Sequence, residues 1–170
     1  DAASSIYKFI WNEYCDWYIE FAKPRLQEDG PRKIAAQNVL VHVLEAALKL
    51  LHPFMPFITE EIWQKLPKNG DSIMVSAFPE FDVAKSDKDG EKAMGKVMEV
   101  ITGVRNIRGE MNLNPGLKLK ALIKTRHANL EATLTKYSGL ICELARLGQI
   151  TIGPEIEKPK MSASSVLGEM

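Results

Sequence analysis

The sequence predicts a mainly α-helical fold, a helical bundle followed by a small C-terminal α/β subdomain of strand, helix and strand. Up to about residue 112, apolar residues recur at steps of three and four, the spacing of helices that bury one side. After Gly116 the apolar period changes to two, which is typical of a strand. We therefore expect a helical-bundle domain in residues 1–112, a strand-helix-strand subdomain in residues 113–153, and a tail in residues 154–170 with an edge strand near Val166.

The first helix is predicted to begin at Ser4 or Ser5 and to end or kink at Pro24, because proline has no backbone N–H to donate. Lys23 and Arg25 bracket this proline, so we expect an exposed cationic corner where the helix breaks. The apolar side of the helix is rich in aromatic residues and consists of Ile6, Phe9, Ile10, Tyr14, Trp17, Tyr18 and Phe21.

Two further helices are predicted before residue 70. A long one should span residues 31–51, since a proline at its start suits a first helical turn, and its short connection to the first helix predicts an antiparallel pair. Thr59 is expected to cap a short third helix whose first turn carries Glu60 and Glu61, where the helix dipole favours acidic side chains. Residues 73–78 are expected to be extended.

The next helix carries the most informative pattern of the chain. Asn114-Pro115-Gly116 should end it, because proline disfavours helix at the residue before it and glycine allows a turn. Arg105, Arg108 and Asn112 lie along one flank of an apolar stripe on this helix. The stripe consists of Ala93, Val97, Val100, Ile101, Val104, Ile107 and Met111. Two interpretations are open: the arginines are solvated or salt-bridged on a core helix, or the flank binds RNA phosphates or bases.

The C-terminal part predicts a crossover unit. Apolar and mostly basic residues alternate over residues 117–124, which indicates a strand with one apolar and one cationic face. A helix is expected over residues 129–147, with Gly148 stopping it, and a second short strand over residues 149–152.

The net charge limits the classes of function. The 170 residues carry 22 basic and 22 acidic side chains, so the chain lacks the positive field of an autonomous nucleic-acid binder. Between residues 96 and 126, however, only Glu99 and Glu110 oppose a basic set. That set is Lys96, Arg105, Arg108, Lys118, Lys120, Lys124 and Arg126. Any contact with RNA is therefore expected to be local.

Cysteine usage and hydropathy indicate the compartment. Cys15 and Cys142 are isolated, so we expect no disulfide framework, and a reducing cytoplasmic location is the natural one. No run of about 18 apolar residues predicts a membrane span, so we expect no membrane partner. The chain begins with Asp1 and with no signal-peptide pattern, which suggests a piece of a longer polypeptide.

No catalytic residues are predicted. Phosphate loops, nucleophile elbows and the His-Glu-x-x-His pattern are absent, and no histidine has a partner at metal-ligand spacing, so we expect neither a catalytic nor a metal site. Glu60 and Glu61 are adjacent and point about 100° apart on a helix, which argues against a paired acid and base. Trp11, Trp17 and Tyr18 could stack on bases, but core packing is favoured.

Three segments resemble a known family. Residues 51–63, LHPFMPFITEEIW, resemble the anticodon-binding domain shared by the class I aminoacyl-tRNA synthetases for valine, isoleucine and leucine. Residues 15–20, CDWYIE, followed by Lys23-Pro24, look like the valine enzymes in particular. Residues 105–112, RNIRGEMN, followed by Pro115-Gly116, look still more like them.

The resemblance implies that the chain is the anticodon-stem recognition module of such an enzyme, a class I synthetase helical bundle with a small mixed subdomain. The fragment itself would be non-catalytic and without cofactors, whereas the parent would attach valine to its tRNA with ATP and Mg²⁺ and would have editing activity. Expected partners are the anticodon stem-loop of the valine tRNA and the catalytic domain of the same polypeptide, in a monomer. Arg105, Arg108 and Asn112 are the expected tRNA-binding residues, with Lys23 and Arg25 as contacts to the RNA backbone.

Two alternatives stay open beside this interpretation. A helical protein-interaction or scaffold domain would dock its aromatic first helix on another domain without nucleic acid. The equivalent domain of an isoleucine or leucine enzyme would share residues 51–63 but not the motif that begins at Arg105.

Overall fold

The computed structural model describes residues 1–67 and 70–168. The chain forms two compact units, Asp1–Val83 and Ala84–Met170. The first unit is helical, and the second combines helices with two strands, which confirms the predicted fold class. The predicted domain boundaries at residues 112 and 153 stay a prediction.

The first helical segment begins earlier and ends later than expected. It consists of α1 (Ala2–Lys8), a π-helical stretch (Phe9–Tyr18) and α2 (Ile19–Gln27). The predicted start at Ser4 or Ser5 is wrong, because the Asp1 side chain accepts a hydrogen bond from the backbone N–H of Ser4 and caps the helix there. The predicted end at Pro24 is also wrong, since α2 continues through this residue.

Helix α3 (Pro31–Leu51) has the predicted bounds and packs against both α1 and α2. The Tyr14 hydroxyl donates to the Leu40 carbonyl oxygen at 2.9 Å and so ties the π-helical stretch to the middle of α3. Burial is the main reason that the pKa of Tyr14 is raised.

Within the described residues, α3 is also the one helix long and apolar enough to span a membrane by length and composition alone. This differs from the expectation that the sequence holds no such segment. A core helix of a soluble protein passes the same test.

Helix α4 (Pro56–Trp63) begins three residues before the predicted cap. Thr59 is therefore no cap: it is buried inside the helix, and its hydroxyl lies 2.8 Å from the Met55 carbonyl oxygen and 2.7 Å from His52 Nδ1. Trp63, fully buried, forms the core of this region with Leu48 and Ile73. Residues 73–75 form a 3₁₀ turn against α4 instead of the expected extended segment.

Helix α5 (Lys88–Glu110) is the first helix of the second unit after residue 85, and the Asp87 side chain caps its start. Val97, Val100 and Ile101 of the predicted stripe are buried, whereas Met111 lies beyond the helix and is exposed. Gly103 is buried under the side chain of Leu167, which would collide with any Cβ at this position. The predicted edge strand near Val166 is wrong: residues 154–168 contain no strand.

Strands β1 (Leu119–Lys124) and β2 (Leu147–Gly153) pair in parallel, as the crossover unit predicts. The single helix expected between them is instead α6 (Ala128–Lys136) and α7 (Ser138–Leu144), separated at Tyr137. Gly148 does not stop a helix but lies in β2, at the register irregularity opposite the start of β1. Helices α6 and α7 pack against α5 and bury Leu130, Leu134 and Ile141.

Candidate nucleic-acid interface

Arg108 is a buried cation near the C-terminal end of α5. The residue is only 8 % exposed. The guanidinium donates to the carbonyl oxygens of Asn114 at 3.0 Å and Pro115 at 3.4 Å, with a longer contact to that of Arg146 at 3.5 Å. Its partners are main-chain carbonyl oxygens rather than carboxylates. The guanidinium therefore makes hydrogen bonds while no acidic partner neutralises its positive charge.

Arg105 lies one helical turn earlier and is exposed. Its Nε and Nη2 donate to the carbonyl oxygen of Leu144 at 3.2 Å and 3.0 Å. Leu144 is the last residue of α7, where carbonyl oxygens lack helical donors and the dipole favours a cation. Arg105 therefore joins the end of α7 to the surface of α5.

Arg146 is a third member of this group, and it was not predicted. It has a φ of 54°, in the left-handed region, and its Nη1 donates to the Pro115 carbonyl oxygen at 3.2 Å. The sequence signal that could have found it is the need for a left-handed residue between a helix and the next strand; the sequence predicts instead that Gly148 stops the helix. We call Arg105, Arg108 and Arg146 the arginine corner.

Sheet register explains why these side chains meet. Leu119 at the start of β1 pairs with Leu147 at the start of β2. Since the strands are parallel, the turn before β1 and the turn before β2 lie at the same edge of the sheet. The arginine corner joins the two turns at that edge.

Asn112 marks the end of α5. Its φ is 48°, and its N–H donates to Gly109 O at 3.0 Å while the N–H of Leu113 donates to Arg108 O at 3.0 Å. These two bonds define a Schellman motif, in which the residue after the cap takes the left-handed conformation. The Asn112 side chain is exposed next to the arginine corner along the chain.

Lys23 and Arg25 lie in the other unit, on α2. Both are exposed, but the predicted corner at a helix break is wrong because the helix continues through Pro24. Lys23 forms an ion pair with Glu20, one turn earlier. Arg25 lies near enough to Tyr18 to lower its pKa, although burial raises that pKa more.

Glu60 has a role that the sequence did not reveal. Its carboxylate accepts hydrogen bonds from Gln64 Nε2 at 2.6 Å, Ser72 Oγ at 2.8 Å and the Ile73 N–H at 3.1 Å. The bond from Gln64, followed by that from Ser72, lowers the pKa of Glu60. Glu60 thus fixes the 3₁₀ turn after α4, and its predicted place in the first turn of that helix is wrong.

The aromatic residues of the first helical segment divide into two groups. Trp17 is half-buried and contacts Phe21, with ring centroids 5.6 Å apart. Trp11 is 57 % exposed and lies parallel to the exposed ring of Tyr7, so the expectation of core packing is wrong for Trp11.

Within residues 1–67 and 70–168, no group of three or more histidine, cysteine, aspartate or glutamate residues could hold a metal ion.

Comparisons with known proteins agree with the resemblance. A family model described as the anticodon-binding domain of tRNA ligase matches residues 1–123. A valine–tRNA ligase of Syntrophotalea carbinolica is 44% identical over 100% of this chain and 19% of its own length. One of Geobacter sulfurreducens is 46% identical over 100% of this chain and 20% of its own length.

A third relative gives a similar result. The valine–tRNA ligase of Thermotoga maritima is 42% identical over 99% of this chain and 18% of its own length. The chain therefore spans about a fifth of the length of these relatives. Since the family model covers residues 1–123 and includes α1 to α5, the chain belongs to the family of anticodon-binding domains of tRNA ligases.

Proposed function

We propose that the chain is the anticodon-stem recognition module of a valine–tRNA ligase and is itself non-catalytic. The parent enzyme would attach valine to its tRNA with ATP and Mg²⁺, at sites outside these residues. Relatives named valine–tRNA ligase that match nearly the whole chain support this assignment. The further partner is the rest of the same polypeptide, including its catalytic domain, in a cytoplasmic monomer.

The observation that carries the RNA-binding part of the proposal is the exposed end of α5. Arg105 and Asn112 are exposed there, and both lie in the part of the chain that the family model matches. A planar guanidinium can stack on a base or bind a phosphate, and an amide can bind a base edge in an RNA loop. Lys23 and Arg25 on α2 would add contacts to the RNA backbone. Arg108, although buried, would also contribute to RNA binding at this surface.

The test uses the full-length enzyme that contains this chain, with Arg105→Gln and the pair Lys23→Gln and Arg25→Gln. Dissociation constants for valine tRNA are measured over a range of salt concentrations. Each lost phosphate contact should weaken binding and lower the slope of log K against log salt by about 0.7 to 0.9. Lys65→Gln, an exposed lysine outside the proposed surface, is the matched control and should change neither.

A second arm tests recognition of the anticodon. An anticodon-altered valine tRNA should bind more weakly than the natural one, by about tenfold or more, since each lost base contact costs about 1 to 3 kcal/mol. A scaffold domain would show no such discrimination, and an isoleucine or leucine enzyme would prefer its own tRNA. Unchanged affinity in both arms would refute the proposal.

A further inference from the structure

We infer that Arg108 is a positioning residue for tRNA recognition, which acts by fixing the loop of residues 111–116 so that the Asn112 side chain is presented to the RNA. This inference rests on the proposed function and deepens it. It assigns Arg146, which no sequence motif singled out, to the same task.

The Arg108 side chain already has hydrogen-bond partners within the chain. Its guanidinium donates to the Asn114, Pro115 and Arg146 carbonyl oxygens, and the residue is 8 % exposed. To bind an RNA phosphate, the side chain would have to leave these oxygens and move outward. The two carbonyl oxygens of the turn would then lose charge-assisted hydrogen bonds in a half-buried place, which is unfavourable.

Arg108 holds the loop with both its main chain and its side chain. Its carbonyl oxygen accepts the N–H of Leu113, which closes the Schellman motif around Asn112. Its guanidinium holds the far end of the loop at Asn114 and Pro115. Asn112, in the left-handed conformation, lies between these two attachments. The direction of its amide therefore depends on both.

Arg146 supports the loop from the turn before β2. Its Nη1 donates to the same Pro115 carbonyl oxygen that Arg108 approaches, at 3.2 Å. Its own carbonyl oxygen accepts from Arg108 Nη1. Arg108 and Arg146 thus connect the turn before β1 with the turn before β2, and the loop is fixed relative to the sheet.

A lysine substitution separates a positioning role from direct phosphate binding. Lysine keeps the charge but presents a compact ammonium, so it cannot span carbonyl oxygens as the planar guanidinium does. If Arg108 bound a phosphate, Arg108→Lys would retain much of the affinity. If Arg108 positions the loop, lysine should not rescue it.

The experiment uses the full-length enzyme and measures KM and kcat for tRNA in aminoacylation, together with tRNA dissociation constants. Arg108→Lys should raise KM for tRNA about tenfold with much less change in kcat, because misplacing a recognition group by about 1 Å can cost up to a hundredfold. Asn112→Gly should raise KM by a similar factor, since it removes the amide but keeps the left-handed backbone. The double variant should be no worse than either single variant, since both remove the same contact.

The outcomes are distinguishable. If Arg108→Lys keeps wild-type KM while Arg108→Gln loses affinity and lowers the salt slope, Arg108 contacts phosphate directly; the inference is then wrong and the proposed function stands. Additive losses in the double variant would also overturn the inference. If Asn112→Gly and Arg105→Gln both leave tRNA affinity unchanged, the RNA-binding proposal for this surface is itself wrong.

A second variant keeps the inference testable if the Arg108 variants fail to fold. Arg146→Gly removes one support of the loop while glycine readily adopts the positive φ. It should raise KM for tRNA severalfold and speed hydrogen exchange at the N–H groups of Leu113 and Gly116. These groups donate to Arg108 O and to the Asn114 side chain in the native loop. Unchanged exchange and unchanged KM would contradict the inference.

Discussion

Asn112 shows how one residue type can satisfy a backbone requirement and a chemical one together. A left-handed φ is unfavourable for most side chains by roughly 1 to 2 kcal/mol, and asparagine tolerates it better than most. At the same time its amide lies exposed at the proposed RNA surface. The left-handed position explains why asparagine suits this place even without a ligand.

The first prediction follows from this conformation. Asn112→Ala should lower the free energy of unfolding by about 1 kcal/mol, because alanine has the strained φ without asparagine's local compensation. Asn112→Gly should leave the free energy of unfolding nearly unchanged, since glycine adopts this φ readily. Urea denaturation compares the two variants, and equal destabilisation by both would contradict the assigned role of the backbone.

Glu60 allows a prediction of pH dependence. Its folded-state pKa is lowered by hydrogen bonds from Gln64, Ser72 and the Ile73 N–H. A lowered pKa means that the carboxylate contributes stability above its ordinary pKa of about 4.3, and that this contribution is lost as the pH falls through the folded-state value. Glu60→Gln should therefore lower the melting temperature at pH 7, and its difference from wild type should shrink below about pH 4.

The neighbouring Glu61 supplies the control for this measurement. It is exposed and forms an ion pair with Lys65 at 3.1 Å. Exposed pairs of this kind contribute little, so Glu61→Gln should change the melting temperature by much less at pH 7. Equal effects of the two substitutions at every pH would contradict the role assigned to Glu60.

At the scale of elements, the first helical segment departs most from simple sequence rules. Pro24 lies inside α2, where it cannot donate to the Glu20 carbonyl oxygen, yet the helix continues to Gln27. Packing of α2 against α3 provides the physical reason, because tertiary contacts override local propensity. The same packing holds Lys23 and Arg25 on a helix rather than at a corner.

Pro24→Ala should therefore stabilise the protein, by up to about 3 kcal/mol, because it restores a helical hydrogen bond and removes a steric conflict. Pro56 at the first position of α4 is the matched control, since proline is favoured there. Pro56→Ala should be neutral or slightly destabilising. Thermal and urea unfolding measure both, and a loss of stability in Pro24→Ala would contradict this expectation.

The elements also show what a sequence pattern can predict. The bounds of α3 and the alternating strand β1 followed from spacing, because each has a clear apolar period and a proline or glycine near its start. The division between α6 and α7 did not, since the apolar spacing continues across Tyr137 and only Ser138 and Gly139 disfavour a helix there. Thr59 is not a helix cap because Pro56 is the first residue of α4, so the helix begins three residues before Thr59.

At the scale of the whole molecule, the first unit exposes large apolar side chains. Phe57 on α4 is 91 % exposed, and Phe81 is 84 % exposed. Exposed apolar surface favours association between molecules. We therefore expect the isolated chain to self-associate as its concentration rises.

Phe57→Ser should reduce this self-association in sedimentation velocity experiments while changing the free energy of unfolding by no more than about 0.5 kcal/mol, because the side chain makes little buried contact. Val166→Ser is the control, since Val166 is also almost fully exposed but lies in the tail of the other unit. The expectation is wrong if Phe57→Ser and wild type sediment alike at every concentration.

The sequence by itself determined the helical class, the crossover unit at the C-terminus and the place of the arginine-rich motif, because apolar periodicity and turn residues are local properties of the chain. Its motifs also pointed to the family. Only the tertiary structure decided which arginine faces solvent and which is buried, since Arg105 and Arg108 have the same chemistry and lie one turn apart on α5. Their different exposure depends on how the turns before β1 and β2 are placed, which is set by the pairing of residues far apart in the chain.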